Sequence, residues 1–179
     1  MNTTSVSGPA EATNTSATPT TVPPKTGREI AALAGLQIMI FLALALLEQR
    51  FLFVHLYELV PYTAILLLFA YRRTRWIYLT GPLFSLLWLA LAYSTGLLQS
   101  AFERVRYLHG VPARADLVAL LALATALVAV LMTMLCRLHW VREFSGRGRA
   151  LPAVLASIAL VAAYYAGLLH WFWVMMRND

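Results

Sequence analysis

Five apolar runs, residues 30–47, 51–71, 76–98, 117–136 and 151–176, each approach the roughly 20 residues that a helix needs to cross the hydrocarbon core of a bilayer. They leave few polar residues between them. The chain of 179 residues is 60% hydrophobic and 12% charged, about half the charge of a soluble domain, which places it in the membrane class. The sequence therefore predicts an all-α, polytopic membrane helical bundle of five transmembrane helices over residues 28–179. Residues 1–27 hold 8 Thr, 3 Ser and 4 Pro with almost no large apolar side chain, too little to offset ordering entropy, and are expected to form a disordered tail. No small-residue cleavage site follows the first run, which is read as an uncleaved anchor.

Only Glu48-Gln49-Arg50 separates the first two runs, so charge placement has to decide whether the first one crosses. With five spans, 9 Arg and Lys fall on the side of the N-terminal tail and 5 on the other; with four spans the count is 7 against 7. The positive-inside rule favours the asymmetric arrangement, with the N-terminus cytoplasmic and the C-terminus outside, in a cell (inner) membrane. Trp76 and Trp140 then fall at the cytoplasmic boundary, and Trp171 and Trp173 near the outer one, where amphipathic rings prefer to lie.

Within this frame Gly81-Pro82 predicts a kink in the third span. Residues 99–114 predict a short amphipathic helix on the outer surface, with Phe102, Val105 and Leu108 on its apolar face, and Asp116 occupies an N-cap position before the fourth run. Ala159, Ala163 and Gly167 recur at four-residue spacing, which lets helix backbones approach closely inside the bundle or against a partner. Arg142, Arg147 and Arg149 form a basic loop suited to anionic lipid or a soluble partner.

The second run departs from an otherwise apolar pattern. Glu58 lies well inside it, where an ionised side chain costs a few kcal/mol, about 2.5 to 3.5 on insertion scales, so it needs a partner, a proton or a water-filled cavity. His55, Glu58 and Tyr62 follow one another by three and four residues and share one helical face. His170 falls at a similar depth on the fifth run, about 10 Å from the outer boundary against about 7 Å for His55. Two imidazoles at matching depth are what axial ligation of one b-type haem requires, and the same set is compatible with a quinone, proton or ion site. A metal needs more ligands than this face supplies, and no metal centre is expected.

Other chemistries are poorly represented. Lone Cys136 offers no dithiol, and the sequence contains no G-x-S-x-G, no H-E-x-x-H and no phosphate-cradling glycine loop. The arginines sit between apolar runs rather than along a groove with interleaved aromatics, so no nucleic-acid partner is expected. The reading that results is a non-catalytic subunit or accessory protein of a larger membrane assembly, in contact with the lipid bilayer and with other membrane subunits or copies of itself, without a cofactor. Its alternative is a small redox or ion- or proton-coupled protein using His55, Glu58 and His170.

Overall fold

A computed structural model of the chain describes residues 27–71, 74–108, 113–144 and 151–177. The Thr-rich segment up to residue 26, His109, Arg147 and Arg149 lie outside the described residues. The elements in order are α1 (Gly27–Leu47), a 3-10 turn (Gln49–Phe51), α2 (Leu52–Ala70), α3 (Thr74–Ser94), α4 (Leu97–Arg106), α5 (Arg114–Phe144) and α6 (Leu151–Arg177), with no strand among the described residues. Five of these helices are long and apolar enough to cross a membrane. With 10 residues, about 15 Å, α4 is too short to cross.

α1 and α2 form a tight hairpin. Glu48 leaves the helical region, at φ −115° and ψ 69°, and the single 3-10 turn that follows redirects the chain into α2. The third span ends sooner than the sequence suggests. The run stays apolar past Gly96, but Gly96 adopts φ 75°, a left-handed conformation that side chains disfavour, and the chain turns there into α4. α5 runs the other way, to 31 residues and about 46 Å, because neither Gly nor Pro interrupts the polar stretch after Cys136 until Gly146.

Asp116 proves to be an early residue of α5 rather than the residue before it. Its Oδ2 accepts from the Ala113 N–H at 2.8 Å, the reaching-back half of a capping box, which satisfies one of the donors orphaned at a helix start. At the other side of the same corner, the Arg114 guanidinium donates to the Leu47 carbonyl, one of the orphaned acceptors at the end of α1. On α4, Phe102 is exposed and Ala101 is the buried residue, packed with Ala119 and Ala122 of α5. The expected apolar face is thus rotated, because close approach to alanines selects the smallest side chain.

Lipid is as apolar as Leu, so helices in it are held by packing and hydrogen bonds rather than by water exclusion. α1 packs mainly on α2, and α3 on α5. The α1 face is Ile30, Ala34, Gln37, Phe41 and Leu44, all buried. A Cβ on Gly81 would stand 3.2 Å from the Cys136 Sγ, so this glycine permits the close α3–α5 contact. α6 packs through Ser157, Val161, Tyr165 and Leu168. Ala159 and Ala163 are exposed, so of the two expectations for this stripe, the bundle interior or a partner, the first does not describe them. Of that stripe Gly167 alone meets another helix, where a Cβ would stand 2.8 Å from the Tyr57 hydroxyl.

Both internal prolines sit inside continuous helices. Pro61 cannot donate to the carbonyl of Tyr57, four residues earlier, and α6 supplies the missing donor: the Tyr164 hydroxyl bonds that carbonyl at 2.8 Å. Tyr57 returns the bond to the Tyr164 carbonyl at 3.2 Å, and the two rings stack at 4.7 Å. A third tyrosine, Tyr165, donates to the Phe84 carbonyl at 2.9 Å and ties α6 to α3.

Candidate functional site

One end of the bundle gathers the ends of α1, α3 and α6, the starts of α2 and α5, and all of α4. A cavity of about 990 Å³ opens between them, at the upper end of the range for small-molecule sites. Its deeper walls are apolar, including Phe41, Leu44, Val118, Ala122 and Leu168, while Glu48, His55, Glu58, Glu103 and Arg104 supply polarity.

The centre of the polar wall is a chain of three side chains. The imidazole of His55 stands between two carboxylates: Nδ1 is 3.1 Å from Oε2 of Glu58, one helical turn on, and Nε2 is 3.1 Å from Oε2 of Glu48 across the hairpin bend. The other oxygen of Glu58 accepts from the indole Nε1–H of Trp88 at 3.1 Å, so both oxygens of the membrane-depth carboxylate are engaged. His55 and Glu58 are 12% and 13% exposed, and Glu48 is 33% exposed, so the chain runs from the rim inward.

Both 3.1 Å separations suit hydrogen bonds whose donor and acceptor roles depend on the His55 tautomer. Each of the two imidazole–carboxylate bonds needs one proton, whether it sits on nitrogen or oxygen, so two protons are shared among three groups. Imidazolium with two carboxylates, and neutral imidazole with one carboxylic acid, both leave one net negative charge. These arrangements interconvert by moving a proton along a hydrogen bond between Glu48 at the rim and Glu58 further in.

The four residues singled out in advance separate. His55 and Glu58 meet as the helical spacing implies. Tyr62, on the same face one turn deeper, is buried against Phe41, with ring centroids 5.8 Å apart. His170 is exposed on α6 and makes no hydrogen bond to His55. With both ring nitrogens of His55 committed to carboxylates, neither is free for an axial bond, and the paired-histidine haem arrangement does not form in this structure. Among the described residues no group of three or more His, Cys, Asp or Glu side chains is arranged to hold a metal ion.

Glu48 and Trp88 complete the site and are not evident as site residues in the sequence. Glu48 lies seven residues before His55, but only the hairpin bend makes that separation a contact. Trp88 offers no signal beyond its presence in a span. α4 closes the cavity from the rim, held to α5 by Arg104 Nε at 3.6 Å from Asp116 Oδ1.

A second polar group lies deeper. Gln37, Ser85 and Thr125 are fully buried; Ser85 lies within reach of the Tyr62 hydroxyl, while neither amide atom of Gln37 nor the Thr125 hydroxyl has a hydrogen-bond partner among the described residues. Counted along their helices from the α4 end, they sit about 15, 14 and 17 Å down, close to mid-bundle. Toward the opposite end, His139 is buried beside the Tyr78 ring at 5.7 Å, and its Nε2 has no hydrogen-bond partner among the described residues.

Against models of protein families, curated proteins and solved structures, no match to this chain is found, so its function has to be argued from these residues alone.

Proposed function

We propose that this chain is an integral membrane protein that binds an amphiphilic small molecule in the α4-end cavity, with occupancy coupled to protonation of Glu48, His55 and Glu58. The observation that carries this reading is a carboxylate–imidazole–carboxylate chain on the wall of an otherwise apolar cavity. An apolar pocket with a few converging polar groups is the general form of a ligand site, and a relay reaching the rim lets protons enter or leave as the ligand does. On the charge asymmetry of the loops, the cavity faces the outside of a cell (inner) membrane and the N-terminus is cytoplasmic.

Binding is tested with protein in lipid nanodiscs, retaining Trp88 as the sole tryptophan and titrating a brominated, uncharged alkyl glucoside as quencher. Saturable quenching is expected, abolished by filling the cavity with Ala122→Phe, and its midpoint should shift with pH in the native site but not in Glu58→Gln. Quenching that rises linearly and equally in both cavity variants would show that Trp88 merely faces lipid. The titratable and charged groups that face this site are Glu48, His55 and Glu58 in the hairpin, Glu103, Arg104 and Tyr107 on α4, and Asp116 beside Arg104 on α5.

A second reading, a non-catalytic subunit of a larger assembly, is favoured by the small-residue face that α6 leaves uncovered at Ala159 and Ala163. Co-purification of a stoichiometric membrane partner, lost on Ala163→Leu, supports it. Arg142, exposed near the end of α5, would then contribute lipid or partner contacts with Arg147 and Arg149.

A further inference from the structure

We infer that the ligand of the α4-end cavity is an amphiphilic organic cation; the inference rests on the cavity being a binding site and adds the sign of the ligand's charge. The polar lining contains three carboxylates, Glu48, Glu58 and Glu103, against His55 and Arg104. Arg104 is committed to Asp116, which does not line the cavity, so that pair is electrically balanced. With one proton in each of its two hydrogen bonds, the Glu48–His55–Glu58 trio carries one net negative charge. Glu103, with no ion-pair partner among the described residues, adds a second. Beyond the Arg104–Asp116 pair, two negative charges thus face a space of about 990 Å³ whose remaining walls are apolar apart from Thr95, Ser100 and Tyr107.

The aromatic content points the same way. Trp88 lines the cavity, is buried and also grips Glu58, whereas Tyr107 lies at the exposed rim with the Arg106 guanidinium already 5.8 Å from its ring centroid. An aromatic face attracts a cation most strongly where water is excluded, and an organic cation carries its own apolar surface for Phe41, Leu44, Val118 and Leu168. An anionic amphiphile would meet like charge at low dielectric. An uncharged one would leave the two negative charges without a counterion at the edge of the hydrocarbon, where compensation matters most.

Tetraphenylphosphonium and tetraphenylborate separate these outcomes, being nearly identical in shape and opposite in charge. Binding of each is measured by equilibrium dialysis against protein-loaded nanodiscs, with binding to empty discs subtracted, beside the uncharged brominated alkyl glucoside. The expected result is saturable phosphonium binding at least tenfold tighter than borate binding. Glu58→Gln and Glu103→Gln should each weaken the phosphonium several-fold, and by several-fold more than they change glucoside binding at the same pH. Glu103 is exposed on α4, so its replacement tests charge without disturbing the buried hydrogen bonds. Borate binding as tight as phosphonium, or phosphonium binding indifferent to both Gln variants, overturns the cation assignment. Glucoside binding without phosphonium binding overturns it too and leaves the cavity reading standing. If none of the three probes saturates, both readings fall.

Discussion

Removing the Tyr164 hydroxyl should be costly because of Pro61, and restoring a backbone donor at position 61 should cancel most of that cost. In an unbroken helix the N–H of residue 61 would satisfy the Tyr57 carbonyl; proline has no such donor, and the Tyr164 hydroxyl takes its place at 2.8 Å. Tyr164→Phe orphans that carbonyl between two helices, a penalty of about 1 to 3 kcal/mol in a protein interior. Hydrogen bonds between membrane helices measure nearer 0.6 kcal/mol, with a maximum of about 1.7. The expectation is therefore a loss of about 1 to 2 kcal/mol. Tyr57→Phe is an internal control, because its acceptor, the Tyr164 carbonyl, keeps its own intrahelical partner within α6. That variant should cost less than half as much. In Pro61→Ala the backbone donor returns, and adding Tyr164→Phe should then cost only the lost ring-edge polarity, giving a coupling of about 1 kcal/mol in a double-mutant cycle. Unfolding in mixed micelles, followed by tryptophan fluorescence, measures all the corners. Equal losses from Tyr164→Phe with and without the Pro61→Ala change would refute the reasoning.

Other expectations follow from the same contacts. Gly167→Leu should destabilise the bundle strongly, since even a Cβ there stands 2.8 Å from the Tyr57 hydroxyl, whereas Ala163→Leu should leave the isolated protein's melting temperature unchanged. Gln37→Leu should stabilise by about 1 kcal/mol or more by removing two buried, unpaired amide atoms; a loss of stability would indicate that water occupies the site. Glu58→Leu should destabilise more than Glu58→Gln, because Leu leaves the Trp88 indole N–H and a nitrogen of His55 unpaired, while Gln keeps hydrogen-bonding capacity at both. Thermal unfolding in the same micelles ranks these variants.

The bundle was legible in the sequence because hydrocarbon thickness sets segment length, and five runs near 20 residues admit few other solutions. Helix ends were less legible. Polar residues such as Arg137 and Arg142 continue a helix as readily as they end one, so α5 overran its apolar part, while the left-handed turn at Gly96 cut the third span short. His55 and Glu58 were readable as a pair because three-residue spacing is a local rule. His170 was not readable in the same way: depth places two residues in one plane but leaves the rotation of their helix undetermined. That rotation was fixed for α6 by Tyr164 and Tyr165, whose hydroxyl bonds to carbonyls of α2 and α3 turn Leu168 inward and His170 out. The same undetermined rotation left open whether the small-residue stripe faces the bundle or a partner. Here α6 is oriented by directional bonds rather than by the shallowest groove available.

The hairpin of α1 and α2 also bears on how such a chain enters a membrane. Glu48, His55 and Glu58 are contiguous on it, and their mutual bonds need no residue from any later helix. As the hairpin emerges from the ribosome and partitions into lipid, three ionisable groups can enter as a single proton-sharing unit with one net charge, which lowers a barrier that each would otherwise raise alone. Trp88 and α4 arrive afterward in the order of synthesis. The first two helices can therefore be placed in the bilayer with their polar cargo already neutralised in part, and the cavity acquires its walls around a group that is already assembled.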